Sequence, residues 1–196
     1  MDKKEILHIF EQTGALQNGH FQLSSGLHSP TYFQCAVALQ YPDYLERFCK
    51  EIVEYYQEES DTIDVVIAPA IGGIVVAQEV GRQLNVRSIF TEREEGKMTL
   101  RRGFHLEPQE VVLVVEDVVT TGGSVKEVIE LVEEIGAFVV GVGSIVDRSG
   151  GKPLFDVPFF SVFSTRAVTY KPEKCPLCEQ GVPLTYPGSR ELSIDQ

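Results

Sequence analysis

Two hydrophobic patterns alternate along the middle of the chain. The first is the short run that is apolar at consecutive positions: Val65-Val66-Ile67-Ala68, Val111-Val112-Leu113-Val114-Val115 and Val139-Val140-Gly141-Val142. A weaker run, Phe159-Phe160-Ser161-Val162-Phe163, follows them. β-Branched and aromatic residues without a polar alternate predict strands covered on both faces, as in a parallel sheet. The second pattern is helical. From Asp43, residues Tyr44, Phe48, Ile52 and Tyr56 recur every fourth position beside Leu45, Cys49 and Val53, while Glu46, Glu51 and Glu54 take the opposite face. From Gly123, the stripe is Val125, Val128, Ile129, Val132 and Ile135, opposed by Lys126, Glu127, Glu130 and Glu134 and closed by Gly136. Residues 73–84 read as a third helix.

The resulting order is strand 64–69, helix 73–84, strand 87–91, an irregular segment, strand 111–117, helix 123–135, strand 138–147 and a last strand near 159–164. Alternation of this kind predicts an α/β fold: a doubly wound, mostly parallel sheet with helices on both faces. One domain spans 1–196. Residues 1–62 supply an N-terminal helix, a hairpin within Gln17–Gln40 and the 43–59 helix, together a small hood. Residues 63–165 form the α/β core with a flexible loop at 92–107, and 166–196 are a Pro/Gly-rich C-terminal extension.

Charge narrows the function class. Seventeen Lys+Arg stand against 29 Asp+Glu, a net −12. A chain so acidic is not built to coat nucleic acid or an anionic membrane, both of which need positive potential. A local basic site is not excluded. The four cysteines, at 35, 49, 175 and 178, are not a disulfide-dense pattern. The polar start Met1-Asp2-Lys3-Lys4-Glu5 has no signal-peptide core, and no apolar run approaches membrane-spanning length. A reduced, soluble, cytoplasmic protein is expected.

The most specific segment is Val114-Val115-Glu116-Asp117-Val118-Val119-Thr120-Thr121-Gly122-Gly123-Ser124. It runs from strand through two carboxylates and a Thr/Gly turn into a helix. In an open α/β sheet, ligands sit at the carboxyl ends of strands. A helix N-terminus preceded by hydroxyls and glycines cradles phosphate. Adjacent acids just before it suit a diol or a hydrated metal ion. Neither GxxxxGK[ST] nor GxGxxG is present. A capped turn with two surface acids is the plainer reading, but five small or hydroxyl residues exceed what capping needs.

Three further segments join it. Ala68-Pro69-Ala70-Ile71-Gly72-Gly73 is a second strand–turn–helix with exposed backbone amides, weak alone. Residues 92–107 carry Lys97, Arg101 and Arg102 without an acid from Lys97 to His105, the pattern of either a solvated charged hairpin or a basic lid over a polyphosphate. Phe21-Gln22-Leu23-Ser24-Ser25-Gly26-Leu27-His28-Ser29-Pro30-Thr31-Tyr32-Phe33 ends in an aromatic pair, and Asp147-Arg148-Ser149-Gly150-Gly151 closes a strand with an arginine that can fork onto a carboxylate.

Together these residues make the chain resemble the type I phosphoribosyltransferases and, over nearly its whole length, the orotate phosphoribosyltransferase family. The resemblance implies the type I phosphoribosyltransferase fold and a Mg²⁺-dependent reaction. In it, orotate and phosphoribosyl pyrophosphate (PRPP) give orotidine 5′-monophosphate and pyrophosphate, in pyrimidine biosynthesis. It implies that Glu116, Asp117, Val118, Val119, Thr120, Thr121, Gly122, Gly123 and Ser124 bind PRPP, the two acids on the ribose hydroxyls. Ala70 and Gly72 would hold pyrophosphate; Thr120, Arg148, Tyr32 and Phe33 would meet orotate. Arg93, Lys97 and Asp117 would be catalytic, the first two from a loop that closes over PRPP. Mg²⁺ would be held through PRPP and water with no direct protein ligand, and the chain would form a homodimer. The family's loop histidine is missing here, Glu92 stands at an arginine position, the loop is short, and Ser24 replaces a usual lysine. Two alternatives remain: a phosphoribosyltransferase for another nucleobase, and a PRPP-binding regulator without activity.

Cys175-Pro176-Leu177-Cys178 has metal or redox spacing. With no second cysteine pair or histidine pair nearby in sequence, structural or incidental use is the expectation, zinc shared between subunits being the other option.

Overall fold

The computed structural model describes residues 1–23, 25–59, 62–152, 154–166 and 168–187. Ser24, whose identity departs from the family pattern, lies outside them.

Period-two burial explains how the core strands work. In β3 (Val65–Pro69) every residue is buried. Val66 and Ala68 enter one apolar cluster and Val65 and Ile67 the other. β6 (Val111–Val119) divides likewise: Leu113 and Val115 face one way, Val112 and Val114 the other. A sheet apolar on both faces must be covered on both. On one face lie α1 (Lys3–Gln12), α2 (Cys35–Leu39), α3 (Pro42–Glu59) and α4 (Gly73–Leu84); on the other lies α5 (Gly123–Ile135). The predicted stripe of α3 is buried at Phe48, Cys49, Ile52, Val53 and Tyr56. It packs close because β7 (Phe138–Asp147) presents glycines beneath it. A Cβ at Gly141 would stand 2.5 Å from Tyr56 Cε1, and one at Gly143 2.6 Å from Ile52 Cγ2. The Tyr56 hydroxyl is satisfied by donating toward the carbonyls of Val142 at 2.8 Å and Pro158 at 3.0 Å.

The six-stranded sheet has the order β5-β4-β3-β6-β7-β8, parallel except for β5 (Lys97–Leu100), with β4 at Arg87–Glu94 and β8 at Phe159–Ser164. From β3 the chain passes through α4 to β4 on one side, and β6 then returns to the other side of β3. The strand order therefore reverses between β3 and β6, the switch point at which such sheets open a crevice beyond their carboxyl ends. A separate antiparallel pair, β1 (Leu16–Gln22) and β2 (His28–Phe33), stands outside the sheet. The tail residues follow: a single 3₁₀ turn (Pro172–Lys174), then α6 (Pro176–Glu179).

Three expectations change. The N-terminal hairpin stops at Phe33, and Cys35–Leu39 is helical. Strand β6 runs two residues further than 111–117, to Val119, because Val118 and Val119 still pair with Val146 and Asp147. The 92–107 segment, expected as a loop, is in its first half a hairpin. β4 continues to Glu94, Glu95 and Gly96 turn with φ of 48° and 86°, and β5 pairs back from Lys97. Two positive φ values in a two-residue loop match the twist of the flanking strands.

Candidate active site

Beyond the ends of β3, β6 and β7 the chain leaves polar groups exposed. Gly122, at φ 74°, turns β6 into α5, and Phe155 packs where its side chain would be. The amides of Thr120, Thr121 and Gly122 have no acceptor among the described residues, and both threonines are exposed. A helix of this length adds free N–H groups of its first turn and the positive end of its dipole. Residues 120–124 thus present open amides and hydroxyls at the start of α5, the segment the sequence motif singled out.

Across the crevice, the 70–73 turn comes within contact of the two acids. A Cβ at Gly72 would lie 2.5 Å from Asp117 Oδ2, and one at Gly73 3.1 Å from Glu116 Oε1. A side chain at Gly72 would displace the Asp117 carboxylate, and one at Gly73 would meet Ala68 Cβ at 2.8 Å. The Ala70–Ile71 peptide is cis, and Ile71 projects into solvent, 85% exposed. Ala70, expected to offer its amide to pyrophosphate, does not: that N–H donates to the Thr91 carbonyl at 2.8 Å, because the β3–β4 ladder runs one residue past Pro69. Ile71 and Gly72 carry the amides left without an acceptor among the described residues.

The two acids differ. Glu116 is buried, and its carboxyl is pushed well above the usual carboxylate range by that burial and by the Asp117 charge beside it. Asp117 is half-buried; its Oδ1 accepts the Val118 amide at 2.9 Å, which leaves Oδ2 toward the 70–73 turn. Val118 and Val119, included in the sequence motif, are ladder residues: Val119 is in the core, and its carbonyl accepts from the Arg148 amide at 2.8 Å. Their side chains are structural.

That last bond fixes Arg148 at the end of β7 beside Thr120. The preceding Asp147 is buried and accepts the Ser149 amide at 2.7 Å, which shapes the turn. Arg148 is half-buried, and its guanidinium has no carboxylate partner among the described residues. Burial lowers its pKa, while Tyr32 and Cys35 pull the other way. Tyr32 in turn is raised by burial and by Asp117, and lowered by Arg148. Arg148, Tyr32, Asp117 and the buried Cys35 therefore share one electrostatic neighbourhood. Cys35 gave no signal in the sequence; burial and Asp117 hold it as a thiol. Phe33 does not join them. It is buried edge-on to Phe10, ring centroids 5.4 Å apart, because adjacent residues of a strand face opposite sides.

The hairpin cations are engaged elsewhere. Arg93 forks onto Glu127 of α5 with both contacts at 2.8 Å, Arg102 onto Glu92 at 2.7 and 2.8 Å, and Arg101 lies 3.5 Å from Glu94. Lys97 is exposed at the hairpin tip, with no ion pair among the described residues. The crevice offers oxygens from Asp117, Thr120, Thr121 and Ser124, a set that suits Mg²⁺ carried on substrate oxygens and water.

Outside the crevice, Cys175 and Cys178 do have a histidine pair beside them. His20 and His28, from the two strands of the β1–β2 hairpin, bring one ring nitrogen each to within 4.8 Å of both sulfurs. No such pair is nearby in sequence; these partners lie some 150 positions away in the chain and are brought in by the fold.

Comparison with known proteins agrees with this geometry. Residues 42–177 match the phosphoribosyl transferase domain. The chain is 57% identical over 192 residues to orotate phosphoribosyltransferase of Caldanaerobacter subterraneus subsp. tengcongensis, covering 98% of this chain and 100% of the relative. It is 58% identical over 192 residues to the enzyme of the same name from a Thermoanaerobacter species, with the same coverage. The crystal structure of orotate phosphoribosyltransferase from Aeropyrum pernix superposes with a TM-score of 0.70 at 25% identity, over 81% of this chain and 93% of that one. A phosphoribosyl transferase domain over most of the chain, with relatives this similar from end to end, places the chain in the orotate phosphoribosyltransferase family.

Proposed function

We propose that the chain transfers the 5-phosphoribosyl group from PRPP to orotate, forming orotidine 5′-monophosphate and pyrophosphate. The observation that carries this reading is Arg148: a half-buried guanidinium without a carboxylate among the described residues, beside Tyr32, which also feels the Asp117 charge. Orotate brings the missing carboxylate, and an arginine fork on it fixes the pyrimidine in plane. Thr120 to Ser124 hold the 5-phosphate at the α5 N-terminus. Asp117 accepts hydrogen bonds from the ribose hydroxyls. The amides of Ile71 and Gly72 face the leaving pyrophosphate.

The pyrimidine nitrogen gains the bond to the anomeric carbon as the carbon–oxygen bond to pyrophosphate breaks, and the electron pair leaves with pyrophosphate. Positive charge develops on the ribose and negative charge on the leaving group, so Asp117 on one side and backbone amides on the other stabilise both. No protein nucleophile is required; positioning and charge do the work. Mg²⁺, bound through PRPP oxygens and water, supplies neutralisation of the pyrophosphate charge. Lys97, which has no ion pair among the described residues, is the better candidate to reach the leaving group; Arg93 must first release Glu127.

The test is product formation from PRPP with orotate, hypoxanthine, adenine or uracil, with and without Mg²⁺. Turnover with orotate alone, lost on chelation of Mg²⁺, is expected. Turnover of a purine without orotate contradicts the assignment, and PRPP binding without pyrophosphate release under any condition favours a regulator. That none of the four cysteines is in a disulfide supports a reducing, cytoplasmic setting. Exposed Ile71 and Val75 at the start of α4 support a homodimer, to be checked by sedimentation.

A further inference from the structure

We propose that His20, His28, Cys175 and Cys178 form a structural zinc site that clamps the C-terminal segment onto the β1–β2 hairpin. The distances are those of a tetrahedral shell. His20 Nε2 lies 3.5 Å from Cys175 Sγ and 3.7 Å from Cys178 Sγ; His28 Nδ1 lies 3.3 Å from Cys178 Sγ and 2.9 Å from His20 Nε2. Bond lengths of about 2.3 Å to sulfur and about 2.0 Å to nitrogen give tetrahedral edges of roughly 3.5 Å between S and N and roughly 3.3 Å between the two N. Four of the six edges fall within a few tenths of an ångström of these values, and the two others, from Cys175 Sγ to His28 Nδ1 and to Cys178 Sγ, lie within 4.8 Å.

Hydrogen bonding alone accounts poorly for the convergence. His20 Nδ1 lies 2.8 Å from the Val182 carbonyl and donates to it, so Nε2 is the unprotonated nitrogen with a single lone pair. Three groups crowd that one lone pair: His28 Nδ1 and both sulfurs. A cation at their centre satisfies all four donors at once, and the Val182 bond is the outer contact that fixes tautomer and ring direction in metal-bound histidines. His20, His28 and Cys175 are buried. Two thiolates, having released their protons, leave a dication neutral, which suits that burial. Two sulfurs and two imidazoles in tetrahedral array select zinc among the common divalent ions. With all four positions filled by protein, the centre is structural and holds no substrate.

Local geometry supports the ligand spacing. Cys175 precedes the single turn of α6, and the Glu179 amide bonds its carbonyl at 3.2 Å, which brings the sulfur at position 178 to the same side. On either side of the cluster the tail is already paired with the hairpin. Tyr170 and His28 exchange backbone bonds at 2.8 and 2.9 Å, and Thr185 bonds both His20 and Gln22 at 2.8 and 2.9 Å.

The experiment measures metal on the full chain, purified from zinc-supplemented medium under reductant, and is independent of catalysis. Elemental analysis should find about one zinc per chain. X-ray absorption should show a shell of two sulfurs and two nitrogens. Cys178→Ser, at an exposed side chain, should lose at least nine-tenths of the zinc; His105→Ala, a surface control, should keep it. A strong chelator should lower the melting temperature of the wild type and leave that of Cys178→Ser unmoved. If Cys178→Ser fails to fold, the absorption shell of the wild type decides. Under one-tenth zinc per chain in the wild type overturns the proposal. So does equal zinc in Cys178→Ser, an oxygen-only shell, iron in place of zinc, or a Cys175–Cys178 disulfide as the prepared state.

Discussion

The crevice and the β4–β5 hairpin are a few residues apart, yet they treat charge in opposite ways. On the hairpin, Arg93, Arg101 and Arg102 each have a carboxylate within reach. At the crevice, Arg148 has none among the described residues, and the amides of residues 120–122 and 71–72 are without acceptors. Paired surface charges are worth little and mark a solvated face. Charges and amides held open by a rigid sheet end are an incomplete set that a ligand completes. The hairpin arginines are answered within the protein, whereas the crevice keeps its donors open among the described residues.

The sharpest way to break this contrast is Asp117→Asn. Loss of the charge facing the ribose should cut kcat/KM for PRPP by about 100-fold or more while leaving the fold intact; wild-type turnover would remove the ribose-clamp role. Next is Arg148→Ala, expected to raise the orotate KM by roughly 10- to 100-fold, with the PRPP KM nearly unchanged. A matching rise in both would mean that Arg148 shapes the crevice and does not read the pyrimidine. Lys97→Ala should lower kcat by about 10-fold if the hairpin tip reaches the leaving group, and steady-state rates at saturating substrate read that directly.

Glu116→Gln probes the buried acid. Its carboxyl is raised above the unfolded value, so the folded state holds the proton more tightly. The stabilisation this gives is complete below the unfolded pKa and is lost as pH rises toward the folded one. The ligand-free wild type should therefore melt progressively earlier than Glu116→Gln as pH is raised from about 5 to about 8; a gap that does not widen contradicts it. The smallest effect is expected for Arg102→Ala, whose guanidinium is exposed: the midpoint of chemical denaturation should stay nearly that of the wild type.

How legible each part was depends on how local its cause is. The core strands were readable because both-face burial writes itself as consecutive apolar residues, and α3 and α5 because their stripes repeat within one helix. The acid pair and the phosphate turn were readable because one contiguous segment makes them. The hairpin was less so. Its basic tail showed no acid when read along the chain, but Glu92 and Glu94 face it across the strand pair. Phe33 was misplaced because two adjacent aromatics were given one face, where β-strand alternation divides them. Ala70 was misjudged because its amide belongs to a ladder with β4, set by tertiary pairing. The histidines facing the Cys175 pair gave no local signal at all, since the contact spans some 150 residues.

The pairing of the tail with the β1–β2 hairpin also sets an order on synthesis. The hairpin that carries Tyr32 leaves the ribosome first, but Tyr170, Val182 and Thr185, whose carbonyls and amides it bonds, are among the last described residues made. Through most of translation the hairpin lacks those partners, while the parallel sheet can already close around α4 and α5. The hairpin is thus secured by its tail partners only after all six strands of the central sheet have been made.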